Sequence, residues 1–416
     1  MQIEEKDSGR YKWIMLGLLA FTYFLMHAAR QIFNASLPQI KAELPGTSDA
    51  EWGLSRTVFL LSYGLMVPFA GIAADLLRRK WVIIVGTLLF AGSVFFTGWV
   101  GGFISMLVMY GLFNGVGQCM IPASCSSLIA QYHVKTRSTA LSIYQIGLYF
   151  GVIIASSVSG WLGSVSEGGW RWAFWGFGAI GLIWVVVLFF FLRDTPPIKT
   201  NASGADKASF KEAALAMVSK PSALLLTFAF GMLVFGSNCF RTFMPLFMFK
   251  EGGYGISMAS AAFHGVFWFY LGSFLGIFSG ARFSDRFSSM RPGLRLEIMA
   301  LGLFLSAPTM AAMVYMPSLA WCCVMMFLFG VGGGFFDCNL YAGLFEVVAP
   351  RYRAAATGVY LCGAFIVGCP ATFVLGYVGQ HFSYQQGIAI FGGTYLIGAI
   401  AVFLARAVFY KKDRVE

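Results

Sequence analysis

Long apolar runs, separated by short polar breaks, occupy this chain from residue 13 onward. A helix needs about 20 residues to cross roughly 30 Å of hydrocarbon, whereas a barrel strand alternates over about 10. These runs have the helical length, and the breaks contain turn signals such as "ELPGTSDAEW" and "SSMRPGLR". The pattern predicts an all-α membrane protein with twelve transmembrane helices, at 13–37, 54–76, 81–99, 102–130, 139–163, 171–192, 221–249, 258–283, 295–316, 318–348, 354–378 and 385–408.

Composition excludes a soluble domain. The chain is 58% hydrophobic and only 11% charged, against roughly 25% charged residues in soluble domains. The first apolar segment lacks the short h-region and small-residue cleavage site of a signal peptide, so we expect it to remain as the first span. The surrounding partner is therefore the lipid bilayer.

The basic residues are distributed asymmetrically. If the N-terminus is cytoplasmic, then 23 of the 29 Lys and Arg fall on the cytoplasmic side, and two more lie inside spans. This bias follows the positive-inside rule, so the net charge of +11 does not indicate a nucleic-acid partner. It predicts cytoplasmic chain ends in a bacterial inner (plasma) membrane. The four basic residues assigned to the outer side are Lys41, Arg56, Arg171 and Lys250.

Motifs for enzymatic chemistry are absent from the sequence. No Walker loop, zinc-ligand spacing or Ser-His-Asp arrangement is present, and the glycine runs "GVGQ" and "GVGGG" lie in apolar spans without flanking strands. The eight cysteines also lie in apolar segments, where thiols act as small packing residues. We predict neither an enzyme nor a metal or cofactor site.

An internal repeat divides the chain. Residues 193–220 form the longest polar break and read as a cytoplasmic linker between halves 1–192 and 221–416. "GVG" at 115–117 matches "GVG" at 330–332, and "VKTRSTA" at 134–140 matches "PRYRAAA" at 350–356. The two arginines inside spans, Arg30 and Arg241, lie 211 residues apart and so are related by the same repeat.

Corresponding motifs end the second span of each half. "GIAADLLRRK" contains Gly71, Asp75 and Arg79, and "ARFSDRF" contains Asp285 and Arg286. With twelve spans in two halves, these motifs resemble the major facilitator superfamily. The resemblance implies two pseudo-symmetric six-helix halves with a substrate site near the midplane between them. It also implies that the five motif residues form conformational latches.

The subfamily resemblance is to the organophosphate:phosphate antiporters. It rests on "LRDTPP" at 192–197 and on one arginine in each of spans one and seven. In that family the arginine pair is thought to hold the phosphoryl group, which implies this role for Arg30 and Arg241. Three positions depart from the family pattern, so the related anion:cation symporters are the alternative; these positions are Val67, Gln145 and Tyr270.

The chemistry of arginine supports a binding role for Arg30 and Arg241 without use of the family resemblance. A charged residue near the bilayer centre costs about 2.5–3.5 kcal/mol or more and usually marks a functional site. A guanidinium fork matches phosphate or carboxylate in two parallel hydrogen bonds and stays protonated. The alternative is a helix-to-helix salt bridge without substrate contact. We predict that Arg30 and Arg241 clamp an anion of one or two charges.

Other polar residues in the spans are weaker candidates. Tyr23 and His27 precede Arg30 on one helical face, Asn238 lies one turn before Arg241, and Gln145 lies in span five. We predict these four as substrate-binding residues, although each is also compatible with packing. Asp337 is the candidate for proton coupling, either paired with Arg241 and titrating or acting as a structural acid between helices.

The sequence as a whole predicts a secondary active transporter. Its substrate would be a small organic anion, such as a sugar phosphate, moved by alternating access and coupled to phosphate or protons. The alternatives are a proton-coupled symporter of sugar acids or other carboxylates, and a membrane sensor of sugar phosphate. An exporter of amphipathic cations ranks last because it fits an arginine pair badly. We expect a monomer.

Overall fold

The computed structural model of the chain describes residues 8–44, 46–133, 136–166, 168–193, 210–250, 254–287, 290–349 and 352–415. Twelve helices within these ranges are long and apolar enough to cross a membrane. The predicted fold class, an all-helical protein with twelve spans, is confirmed. Part of the predicted 193–220 linker lies outside the described ranges, and α8 (Phe210–Val218) lies within it.

The helices follow one another with short connections. Their bounds are α1 (Ser8–Glu43), α2 (Asp49–Leu76), α3 (Arg79–Thr97), α4 (Phe103–Met106), α5 (Asn114–Tyr132), α6 (Arg137–Val165), α7 (Gly169–Phe191), α8, α9 (Pro221–Lys250), α10 (Met258–Phe287), α11 (Leu294–Met313), α12 (Leu319–Asp337), α13 (Leu340–Val347), α14 (Arg353–Gly368), α15 (Ala371–His381), α16 (Tyr384–Leu404) and α17 (Tyr410–Asp413). A π-helical segment, Leu107–Phe113, joins α4 to α5, and another, Ala405–Phe409, joins α16 to α17.

The chain divides into two compact units. Unit 1 comprises the described residues of Met1–Thr47, Phe69–Gly204 and Met258–Phe263, and unit 2 those of Ser48–Pro68, Ala205–Ser257 and His264–Glu416. Each unit thus contains most of one predicted half. The exceptions are the first part of α2, which belongs to unit 2, and the first turns of α10, which belong to unit 1.

Glycines related by the sequence repeat make equivalent helix contacts in the two units. In unit 1, a Cβ atom on Gly117 of α5 would lie 2.9 Å from the carbonyl oxygen of Gly86 on α3. In unit 2, a Cβ atom on Gly332 of α12 would lie 2.5 Å from the carbonyl oxygen of Gly302 on α11. Small residues allow membrane helices to approach this closely, so the matching "GVG" motifs place the same type of contact in each unit.

Helices α10 and α12 of unit 2 cross through two interlocking G-x-x-x-G motifs. Gly272 and Gly276 lie on α10, and Gly330 and Gly334 lie on α12. A Cβ atom on any of the four would lie 2.0–2.5 Å from a backbone carbonyl oxygen of the facing helix. Backbone packs directly on backbone here, because lipid offers no hydrophobic drive and close van der Waals contact holds membrane helices together.

Two spans predicted as continuous helices are interrupted. The tenth breaks between Asp337 and Leu340, where the buried Asn339 donates its amide back to the Phe335 carbonyl at 3.4 Å. The eleventh breaks between α14 and α15 at Pro370, which has no backbone N–H to donate. In the tenth span, the Asn339 side chain competes for a backbone carbonyl, and such competition disfavours continuation of a helix. Asp337 therefore lies at a helix end within a span.

The α10–α12 contact predicts different outcomes for two adjacent glycines. We expect Gly334→Ala to lower the free energy of unfolding by about 1–3 kcal/mol, because the added methyl meets a carbonyl oxygen 2.5 Å away and overpacks the crossing. Gly333→Ala is the matched control, since the nearest atom to its added methyl, on the Phe269 ring, lies 4.0 Å away and alanine favours a helix. Chemical unfolding in detergent measures both, and equal losses would contradict this account of the crossing.

Candidate functional site

Arg30 lies half-buried on α1 and is held by a row of amide side chains on α5. Its Nε donates to Oε1 of Gln118 at 2.5 Å. Nε2 of Gln118 in turn donates to Oδ1 of Asn114 at 2.7 Å. Gln118 and Asn114 are both fully buried, one helical turn apart. The row orients the predicted substrate arginine through a neutral partner.

The π-helical segment before α5 also contacts Arg30. Tyr110, in this segment, donates its hydroxyl to the Arg30 backbone carbonyl at 3.2 Å. Its ring stacks on Phe33 with centroids 4.3 Å apart. A π-helical turn holds an extra residue and is frequent at functional sites. The irregular turn therefore anchors α5 to α1 next to Arg30, with Asn114 beginning the regular helix after it.

An aromatic group surrounds the other candidates on α1. Tyr23 makes an edge contact with His27, with ring centroids 4.5 Å apart, and stacks on Tyr144 of α6 at 4.1 Å. His27 is buried in this group. Gln145, the predicted substrate-binding residue of α6, is exposed. Successive residues of a helix point about 100° apart, so its neighbour Tyr144 is buried and contacts Tyr23.

Arg241 lies half-buried on α9 of unit 2. Its Nε donates to the Ser237 carbonyl of its own helix at 3.1 Å, and its Nη1 donates to the Tyr270 hydroxyl at 3.4 Å. The Ser237 hydroxyl is hydrogen-bonded to the hydroxyl of the buried Tyr395 at 2.8 Å. Uncharged oxygens thus orient Arg241. Tyr270 is one of the three positions at which the sequence departs from the antiporter pattern.

Asp337 is exposed at the end of α12. Its carboxylate interacts electrostatically with Arg241. Among the described side chains the two form no ion pair. Asp337 and Arg241 therefore influence each other through their charges and not through a direct ion pair.

Arg56, one of the four basic residues that the sequence assigns to the outer side of the membrane, is buried in unit 2. It lies within α2 and is only 4% exposed. Its Nη2 donates to Oδ1 of Asn238 at 3.3 Å, and its guanidinium lies 4.7 Å from the centroid of the Phe59 ring. The aromatic face and the amide accommodate the charge, which a count of loop charges cannot foresee. Asn238, predicted to bind substrate, is itself buried and bound to Arg56.

The latch residues of unit 1 are only partly described. Gly71 and Asp75 lie near the end of α2, and the Asp75 side chain is outside the described part of the structure. Arg79 begins α3 and is buried.

In unit 2, Asp285 forms an ion pair with Arg295 of α11 at 3.6 Å. Arg295 also lies 3.9 Å from Glu346 of α13. The Arg286 guanidinium lies 5.5 Å from the Phe287 ring centroid on the same helix. Asp285 therefore connects α10 to α11, whereas Arg286 makes a local contact.

Cavities within the units lie apart from the two arginines. One in unit 1, about 990 Å³, is lined by residues that include the ion pair of Glu43 and Arg171, 2.8 Å apart. One in unit 2, about 690 Å³, is lined by apolar side chains with His264 and Trp268. Neither includes Arg30 or Arg241 among its lining residues. The described residues contain no group of three or more His, Cys, Asp or Glu suited to a metal.

Sequence reasoning missed three residues of the Arg30 site: Asn114, Gln118 and Tyr110. A usable signal was present, because two amides four residues apart in an apolar span form a polar stripe on one helical face. Tyr110 had no comparable signal, since its orientation depends on the π-helical segment.

Comparison with known proteins identifies relatives over nearly the whole chain. The family model described as "Major Facilitator Superfamily" matches residues 19–294. Protein spinster homolog 1 of Xenopus laevis is 25% identical, covering 99% of this chain and 85% of that protein. The cis,cis-muconate transport protein of Acinetobacter baylyi is 24% identical, covering 94% of this chain and 93% of that protein.

A solved structure shares the fold. It is that of a bacterial homologue of the human lysosomal transporter spinster, in an inward-facing and unoccupied conformation. The TM-score is 0.85 at 22% identity, covering 98% of this chain and 99% of that one.

The Arg56–Asn238 contact predicts energetic coupling. We expect Asn238→Leu to lower the free energy of unfolding by about 1–3 kcal/mol, because it leaves a buried guanidinium without this acceptor. Combined with Arg56→Leu, the losses should be non-additive by about 0.5–3 kcal/mol. The control pair is Asn238→Leu with Arg406→Leu, since Arg406 pairs with Glu297 instead. Additive losses for Arg56 and Asn238, measured by chemical unfolding in detergent, would contradict the contact.

Proposed function

We propose that this chain, which belongs to the Major Facilitator Superfamily, is a secondary transporter that carries a small organic anion across the membrane. The observation that supports the anion most directly is the environment of its two repeat-related arginines. Nε of Arg30 is held by a neutral amide, and Arg241 is held by a carbonyl and a hydroxyl. Both side chains are oriented by groups that leave their charge intact, as an anion site requires.

A carboxylate is the substrate class that the observations favour over a sugar phosphate. The Acinetobacter relative that covers most of this chain is named for cis,cis-muconate, a dicarboxylate. Position 270, where the antiporters carry an acid, holds a tyrosine that contacts Arg241. A guanidinium matches carboxylate and phosphate oxygens with similar geometry, so the sugar phosphate suggested by "LRDTPP" is the second candidate.

The energy source in this proposal is a proton gradient acting through Asp337. Asp337 lies at the end of α12 in the same unit as Arg241, and its carboxylate is within electrostatic range of that guanidinium. Protonating it removes a negative charge beside the arginine, so proton binding and anion binding are linked at one residue. The positive-inside bias supports cytoplasmic chain ends in a bacterial inner membrane.

The arginines can be tested with conservative substitutions. We expect Arg30→Lys and Arg241→Lys each to weaken anion binding about tenfold or more, since lysine loses the bidentate fork and charged hydrogen bonds contribute about 1.5–3 kcal/mol. The measurement is thermal stabilisation of the purified protein by cis,cis-muconate, glucuronate and glycerol 3-phosphate. Arg171→Lys, at the ion pair with Glu43, is the matched control. Ligand responses equal to the parent in both variants would reject the arginine site.

Uptake of the stabilising anion into proteoliposomes separates a transporter from a sensor. A protein that is stabilised by the anion but moves none of it across the membrane would favour the sensor interpretation. Whether cis,cis-muconate and glucuronate stabilise the protein more or less than glycerol 3-phosphate decides between a carboxylate and a sugar phosphate as substrate.

Asp337 can be tested by separating driven uptake from exchange. We expect Asp337→Asn to abolish accumulation driven by an inward proton gradient but to retain counterflow exchange of the same anion, because the site still binds substrate and no longer takes up a proton. Glu297→Gln, which alters an ion pair with Arg406 elsewhere in unit 2, is the control. Unchanged proton-driven accumulation in the Asp337→Asn variant would exclude this residue from coupling.

A further inference from the structure

Arg30 is oriented by an uncharged side chain, that of Gln118, although a glutamate of the same length would fit at this position. Gln118 is fully buried on α5, and its Oε1 accepts from Nε of Arg30. A glutamate has the same length and would form a stronger, charge-assisted hydrogen bond with the guanidinium. It would also cancel the charge on which anion binding depends. The choice of amide over carboxylate therefore bears on selectivity.

Hydrogen-bond direction fixes the orientation of the whole row. A guanidinium has donors only, so Gln118 must present its oxygen to Arg30 and turn its amide nitrogen away. That nitrogen donates to Asn114, which must in turn present its own oxygen. Asn114 therefore selects the rotation of the Gln118 amide in which an oxygen faces Arg30. It is a positioning residue that acts through Gln118.

The row contributes less to stability than a fully bonded network. Nδ2 of Asn114 is buried and has no hydrogen-bond partner among the described residues. A half-satisfied buried network is less favourable than an apolar one of the same shape. Two buried amides at these positions are thus better explained by what they do to Arg30 than by stabilisation of the α1–α5 contact.

We infer that Gln118 is a specificity-determining residue, which holds the Arg30 guanidinium in place while leaving its positive charge available to an anionic substrate. Asn114 sets the orientation of Gln118. This inference rests on the proposed function, since it assigns a role toward the anion carried by that site. It implies that a carboxylate at position 118 converts a permanently charged site into one that is open to anions only when the carboxylate is protonated.

The test compares Gln118→Glu, Gln118→Met and the unmodified protein. Affinities for cis,cis-muconate, glucuronate and glycerol 3-phosphate are measured at pH 5 and pH 8 on the full chain in detergent. We expect Gln118→Glu to bind about tenfold or more weakly at pH 8 and to recover at pH 5. Gln118→Met, which removes the hydrogen bond and adds no charge, should lose roughly two- to tenfold equally at both pH values.

Two controls isolate the effect of the carboxylate on Arg30. Gln131→Glu makes the same chemical change on the same helix, thirteen residues further along, and should bind like the parent. Ionisable groups near Arg30, which include His27, Tyr110 and Cys119, are common to all the variants, so the unmodified protein at each pH is the reference. If the affinity of Gln118→Glu changes between pH 5 and pH 8 no more than that of the unmodified protein, the inference is overturned.

A ligand-free measurement tests the pairing itself. The unfolding temperature of Gln118→Glu relative to the parent should fall between pH 5 and pH 8, because a buried carboxyl that is still protonated at pH 5 holds a proton that the unfolded chain has already released. Adding Arg30→Leu should steepen this fall, because the guanidinium no longer stabilises the carboxylate. An equal fall with and without Arg30 would overturn the inference whatever the ligand data. If the unmodified protein binds none of the three anions, the proposed function falls and this inference with it. Equal binding by parent and Gln118→Glu at pH 8 overturns the inference alone.

Discussion

A guanidinium within a membrane-spanning helix constrains everything around it, because it stays charged at any working pH and must be hydrogen-bonded where little water is available. In unit 1, this constraint accounts for the buried amides of α5 and for the Tyr110 hydroxyl on the Arg30 carbonyl. In unit 2, it accounts for Tyr270 beside Arg241 and for the amide and aromatic ring beside Arg56. Arg30, Arg56 and Arg241 therefore each lie beside uncharged polar or aromatic side chains.

Close contacts at glycines constrain how the helices that carry these polar groups are rotated. On α5, Gly117 meets the backbone of α3 and the next residue, Gln118, faces Arg30 on α1. On α12, Gly330 and Gly334 pack against α10, and Asp337 follows Gly334 by about one turn. Because backbone contacts tolerate little displacement, each glycine fixes the rotation of its helix and so the direction of the functional side chain that follows it.

Much of the architecture followed from pattern alone. The twelve spans depend on the length of apolar runs, and the repeat depends on the spacing of motifs, both of which can be read from the chain directly. The burial of Arg56 was not predicted, because it depends on its contacts with Asn238 and Phe59. The contact between Tyr144 and Tyr23 was not predicted, because a span exposed to lipid and to other helices on different faces has no clear amphipathic period.

The sequence by itself determined that this protein crosses the membrane twelve times and carries repeat-related arginines inside it, since hydrocarbon thickness and the cost of buried charge act on any helix alike. Only the tertiary structure decided which side chains meet those arginines. Helix rotation, the π-helical segment before Asn114 and the breaks at Asn339 and Pro370 set these contacts. They arise from packing between segments far apart in the chain, which no local pattern of hydrophobic and polar residues encodes.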